Sequence, residues 1–147
     1  MLPTSKSIML IVDTQATAGE TNVPKFDRLG YDFVSVDVAL MGVEDGTTVT
    51  VLKMGESADN TTFTNISGAV GGTDFTIPTA LRTLGDATGP TVVRFDMDMR
   101  SRKRYLQLTV ASGTKTVEVL NARLSRGGPD GTPVTATKAG VDVLVAV

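Results

Sequence analysis

The chain has 147 residues and a formal net charge of −2, with neither cysteine nor histidine. Without cysteine there is no disulfide, thiolate zinc site or thiol nucleophile. Without histidine there is no serine triad, no histidine metal site and no general base of the usual kind near neutral pH. An isoelectric point of about 5.0 argues against a dedicated nucleic-acid binder, and no apolar run approaches the ~18 residues that read as a membrane span.

The length suits one domain, and the pattern is that of an all-β chain: short alternating runs rich in threonine and valine, separated by glycine-rich turns. Residues 1–7 read as a loose arm. The five apolar residues of Ile8–Val12 read as a first strand, too short for the ~7–15-residue apolar region of an export signal. Thr14–Pro24 is a polar loop or continuing arm, which places an arm with a first strand over residues 1–24 and the main domain over 25–147. Tyr31–Leu40 (YDFVSVDVAL) alternates, with Val34, Val36, Val38 and Leu40 on the core face and Tyr31, Phe33, Ser35 and Asp37 opposite. After the turn GVEDG, Thr47–Met54 reads as its hairpin partner. Residues 56–66 form another turn and strand, and GAVGG is a loop. Asp74–Ile77 reads as a short strand ended by Pro78, and Thr79–Leu84 as one helical turn.

Thr91–Arg100 puts Val93, Phe95, Met97 and Met99 inward and Arg94, Asp96, Asp98 and Arg100 outward. Arg104–Ala111 then completes an expected hairpin around the SRKR turn. Thr116–Ser125 is the next strand, GGPDGTP a loop, and the apolar segment Val141–Val147 is expected to pair inside the sheet, because a bare apolar edge invites aggregation. Eight to ten strands in an antiparallel two-sheet sandwich of jelly-roll type, with an extended N-terminal arm, is the expected fold.

Three constellations could carry function. Asp96 and Asp98 share a strand face and could in principle act as a carboxylate pair or ligate calcium. The flanking arginines would pair with them, and no loop supplies calcium's oxygens, so a charged face is the favoured reading. The cations Arg100, Arg102, Lys103 and Arg104 could meet phosphates, an acidic partner surface, or only solvent; aromatic residues that would stack bases are sparse, Tyr105 alone being adjacent. Four cations on one turn repel each other, so acidic groups are expected nearby, with Asp96 and Asp98 as candidates. Third, SADNTTF (57–63) resembles the Asp-box, a structural hairpin turn of sialidases and other β proteins, with Thr61 in place of its glycine and Phe63 in place of its tryptophan. Gly71-Gly72 and Gly127-Gly128 lack the strand–GxGxxG–helix context of a nucleotide site and read as loops.

The order YDFVSVDVALMG, VLKMGESADNTTFTNISG, VVRFDMDMRSRKRYLQLTV and LSRGG, over roughly residues 30–128, resembles small virion structural proteins of tailed bacteriophages. In fold and size the chain is similar to phage capsid cement (decoration) proteins with jelly-roll folds. The resemblance implies a non-enzymatic role on the outer surface of the virion capsid, after synthesis in the host cytoplasm. The implied partners are the major capsid protein and the chain itself, as a dimer or trimer, with no cofactor, metal, nucleic acid or membrane. On that reading the contact set is Arg100, Arg102, Lys103 and Arg104, whose guanidinium forks suit carboxylates, with the arm at 1–24, Tyr31 and Phe33 as secondary surfaces. A tail- or head-fibre-associated carbohydrate- or receptor-binding β-module is the alternative, weakened by the absence of tryptophan.

Overall fold

The alternating run around Val34–Leu40 lies at the centre of the molecule. A computed structural model describes residues 5–13, 19–78, 80–126 and 141–147 and contains ten strands among them. These are β1 (Ser5–Asp13), β2 (Thr21–Asn22), β3 (Lys25–Asp27), β4 (Phe33–Gly42), β5 (Val49–Ser57), β6 (Thr64–Val70), β7 (Thr91–Asp98), β8 (Tyr105–Ser112), β9 (Thr116–Ser125) and β10 (Val143–Ala146). They form two five-stranded sheets packed as a sandwich. One has the order β1-β9-β4-β7-β10; in the other, β2 and β3 both pair with β8, followed by β5 and β6. All pairings are antiparallel except that of β10 with β7.

Register explains the core. Val34, Val36 and Val38 stand opposite Met97, Phe95 and Val93 on one side, and opposite Leu124, Ala122 and Leu120 on the other. All nine face inward and are buried, and Leu52, Met54, Leu106, Leu108 and Val110 of the second sheet close over them. Phe75 meets Phe95 edge-on, with ring centroids 5.5 Å apart, a favoured aromatic geometry.

Two expected hairpins are not hairpins: β4 and β5, and β7 and β8, lie in opposite sheets, so the segments between them are crossovers, as is the one between β8 and β9. Alternation identifies the core face of a strand but not its partner, since a strand shows the same face to the core in either sheet. The hairpin that does form is β5–β6, around the Asp-box-like turn.

The N-terminal region is more integrated than an arm. Ser5–Ser7 already pair with Arg123–Ser125, and β2 pairs with β8; residues 1–4 and 14–18 lie outside the described residues. Asp74–Ile77 is a turn with a single bridge from Gly71 to Phe75 rather than a strand. Residues 80–84 are not helical: Thr83 bridges to Gly42, and the Leu81 N–H donates to the Thr47 carbonyl at 3.3 Å, which buries Leu81. Thr79 and the loop GGPDGTP fall outside the described residues. The C-terminal segment pairs as expected, though at a sheet edge, with Val145 buried beside Phe95.

A candidate contact surface at the basic crossover

Residues 99–104 carry the chain from β7 to β8 at one end of the sandwich. Met99 anchors the start: its side chain is buried, and its N–H donates to the Asp32 carbonyl at 2.7 Å. The Arg102 N–H turns back to the Met99 carbonyl at 3.1 Å.

Arg28 fixes the rest. Its Nε donates to the Lys103 carbonyl at 3.0 Å, its Nη1 to the Tyr31 carbonyl at 3.1 Å and its Nη2 to the Arg102 carbonyl. Its backbone N–H reaches the Arg104 carbonyl at 3.2 Å. One guanidinium fork thus joins two loops distant in sequence, work that its planar array of five donors suits. Glu56 adds a further tie, accepting the Lys103 N–H at 3.1 Å.

The four cations of the crossover divide into two classes. Arg100 pairs with Asp98 at 2.5 Å and lies over the Phe33 ring, 5.3 Å from its centre. Arg104 pairs with Asp27 at 2.6 Å and covers the Tyr105 ring. Hydrogen bonds from the Arg100 side chain and N–H pull the Asp98 carboxyl down to about 2, and the Arg104 guanidinium likewise lowers Asp27. Lys103 and Arg102, in contrast, have no carboxylate partner among the described residues. The Lys103 Nζ meets only the neutral Thr64 hydroxyl at 3.2 Å.

The expectation of nearby acids was met in part. Asp98 supplies one carboxylate, but the others are Asp27 and Glu56, from different strands. Asp96 instead accepts the Ser35 hydroxyl at 2.5 Å, and Arg94 pairs with Asp37, its cross-strand neighbour, at 2.6 Å. Asp96 and Asp98 thus each bond a different neighbour, Ser35 and Arg100, rather than one another.

Tyr31 is corrected as a secondary surface: it is only 6% exposed. It lies two residues before β4, so strand alternation does not set its direction; it is tucked inward beneath Arg126, 6.0 Å from the ring centre. Phe33 is half-buried beneath Arg100.

The Asp-box-like turn sits beside the crossover, since Ser57 is in register with Tyr105. Asp59 accepts the N–H groups of Thr61 (2.9 Å) and Thr62 (3.0 Å) and the Ser57 hydroxyl (2.7 Å). These bonds hold its carboxyl far below the usual range. Asn60 takes the left-handed φ of 62° that the turn demands. Among the described residues no group of three or more acidic side chains is placed to hold a metal ion.

Sequence reasoning missed Arg28, Asp27 and Glu56. Their partners lie 74, 77 and 47 residues away, and only the surplus of cations in SRKR hinted that acids must converge there. A comparison with protein-family models found no match, and searches of curated proteins and of solved structures found none either.

Proposed function

We propose that the chain is a non-enzymatic structural protein of a virion: a cement or decoration protein that binds the outside of a phage head and bridges neighbouring major capsid protein subunits. The observation that carries this reading is the pair Arg102 and Lys103. They stand on a crossover held by Arg28, and neither forms an ion pair with a carboxylate among the described residues. A cation presented on a fixed backbone loses little conformational freedom on meeting an acidic surface, so more of the contact energy remains for binding.

The strand order supports the jelly-roll part of the proposal. Within the two sheets, the runs β1-β9-β4-β7 and β2-β8-β5-β6 pair in the nested order of two Greek keys, β10 being added at the edge beside β7 and β3 sharing β8 with β2. The sequence resemblance over residues 30–128 supports the virion part. A sugar-binding platform is less favoured, because Tyr31 is buried while Phe33 and Tyr105 lie beneath arginines, and stacking on sugars requires open rings.

Quantitative mass spectrometry of purified particles, joined to a binding assay on shells lacking this chain, tests the proposal. A copy ratio near parity with the coat protein is expected. Arg102→Glu with Lys103→Glu should weaken shell binding by about tenfold or more, the scale of losing close interfacial charge pairs. A few copies per particle, or unchanged binding by the double variant, would overturn it.

A further inference from the structure

The charges left over after internal pairing are segregated along the strand axis. At the β7–β8 crossover end stand Arg102 and Lys103, with Arg126 beside them, whose Nε donates to the Gly30 carbonyl at 2.9 Å. Exposed Lys25 lies at the same end. Asp32, Glu56 and Asp59 also stand at this end without an ion pair among the described residues, but Arg28, Arg102, Lys103, Arg126 and Lys25, which likewise have none, outnumber them.

The opposite end carries the reverse sign. The β4–β5 crossover exposes Glu44 and Asp45, and neither forms an ion pair among the described residues. Asp86 lies on the adjoining loop, which the Leu84 N–H ties to the Gly42 carbonyl at 2.9 Å. Thr88 donates to the Asp86 carboxylate twice, at 2.8 and 2.6 Å, which holds it ionised. Arg82, the nearest arginine, is bound to Asp142 at 2.5 Å, leaving Lys115 as the counter-charge at that end.

β4 runs the length between the two ends. At ~3.3 Å per residue its ten residues span about 33 Å, several times the Debye length of about 8 Å at physiological salt. The two ends of one molecule therefore do not neutralise each other, but the ends of two molecules in contact can. From this complementarity we infer that the protein associates head to tail with a second copy, the Arg102–Lys103 end of one seated on the Glu44–Asp45 end of the next. Such a contact is heterologous and extends to a ring or an open row. Edge-to-edge pairing through β1 is disfavoured by Lys6 and by the irregularity between Met9 and Ile11, both devices that blunt an edge. The inference does not rest on the cement reading, but it draws on the same Arg102–Lys103 pair, so a pair seated on a second copy is not also free for the coat protein.

Sedimentation velocity on the purified full chain, over a concentration series, tests it. Association should weaken by about tenfold or more between about 20 mM and about 500 mM salt. Arg102→Glu/Lys103→Glu and Glu44→Lys/Asp45→Lys should each be monomeric alone, yet associate with each other when mixed, which also shows that both fold. A wild-type protein that stays monomeric at every salt and concentration overturns the inference. So does association that neither salt nor the variants alter, or a mixture that fails to associate. Shell binding by a chain that stays monomeric would overturn this inference alone and leave the cement reading standing.

Discussion

Asp98 shows how a single residue can serve the fold at one pH and fail it at another. Its carboxylate takes two contacts from the Arg100 Nε (3.0 and 3.1 Å), one from Nη2 (2.5 Å) and the Arg100 N–H (3.1 Å). These bonds favour the ionised form, so the carboxyl falls from 3.8 to about 2 in the folded chain. Above 3.8 both folded and unfolded chains hold it ionised, and its contribution to stability is complete. Between 3.8 and about 2 the unfolded chain takes up a proton that the folded chain refuses, so that contribution is lost as the pH falls. Urea unfolding at a series of pH values should therefore show stability declining through this window, and Asp98→Asn should flatten that part of the decline. An unchanged slope in Asp98→Asn would mean that other carboxyls, Asp27 among them, account for it. Arg100 is largely neutralised by this pair, which leaves Arg102 and Lys103, and not the whole SRKR knot, to act outward.

The β7–β8 crossover is an element in its own right, shaped more by Arg28 than by its own residues. Replacing Arg28 with alanine strands the half-buried bonding sites at the Tyr31 and Arg102 carbonyls and frees the exposed Lys103 carbonyl. The expected cost is about 1–3 kcal/mol, the scale of leaving buried polar groups without partners, read from the urea midpoint. Arg28→Lys should recover little, because an ammonium cannot match three carbonyls held in a planar fork. A loss under ~0.5 kcal/mol, ordinary for a surface site, would show that water replaces the guanidinium without penalty. This element also marks where the sequence stops being legible. The inward faces of β4, β7 and β8 could be read from period two, and Val34, Phe95 and Leu108 are buried as expected. The Asp-box-like turn was legible because Asp59 and Asn60 act on neighbours two or three residues away. Strand partners were not legible, since a six-residue connection can close a hairpin or cross to the other sheet while every side chain keeps its face. Arg28 was invisible for the same reason: its role depends on which crossover lies above it, and that follows from topology.

At the scale of the whole molecule, consecutive strands among the described residues change sheet six times, since β1, β4, β7, β9 and β10 lie in one sheet and β2, β3, β5, β6 and β8 in the other. Only β5 and β6, β9 and β10, and β2 and β3 along one edge are consecutive strands of the same sheet. Peeling one sheet from the other would expose the shared core of Phe95, Leu40, Leu52 and Leu108 to water while every crossover still tethered the two halves. Neither sheet has an apolar face it can bury alone, so partial opening gains little chain entropy for a large loss of buried apolar surface. The domain should therefore unfold as one cooperative unit, which is the mechanical property a shell-bridging protein would need. The two tyrosines report on both halves: Tyr31 adjoins β4 of the first sheet, and Tyr105 begins β8 of the second. With no tryptophan to mask them, Tyr31→Phe and Tyr105→Phe each leave a single fluorophore. In urea, the fluorescence of each variant and its far-ultraviolet circular dichroism should trace one superimposable transition. If the Tyr105 signal moved at lower urea than the dichroism, the second sheet would be opening first, and the crossovers would be tethers without being couplers.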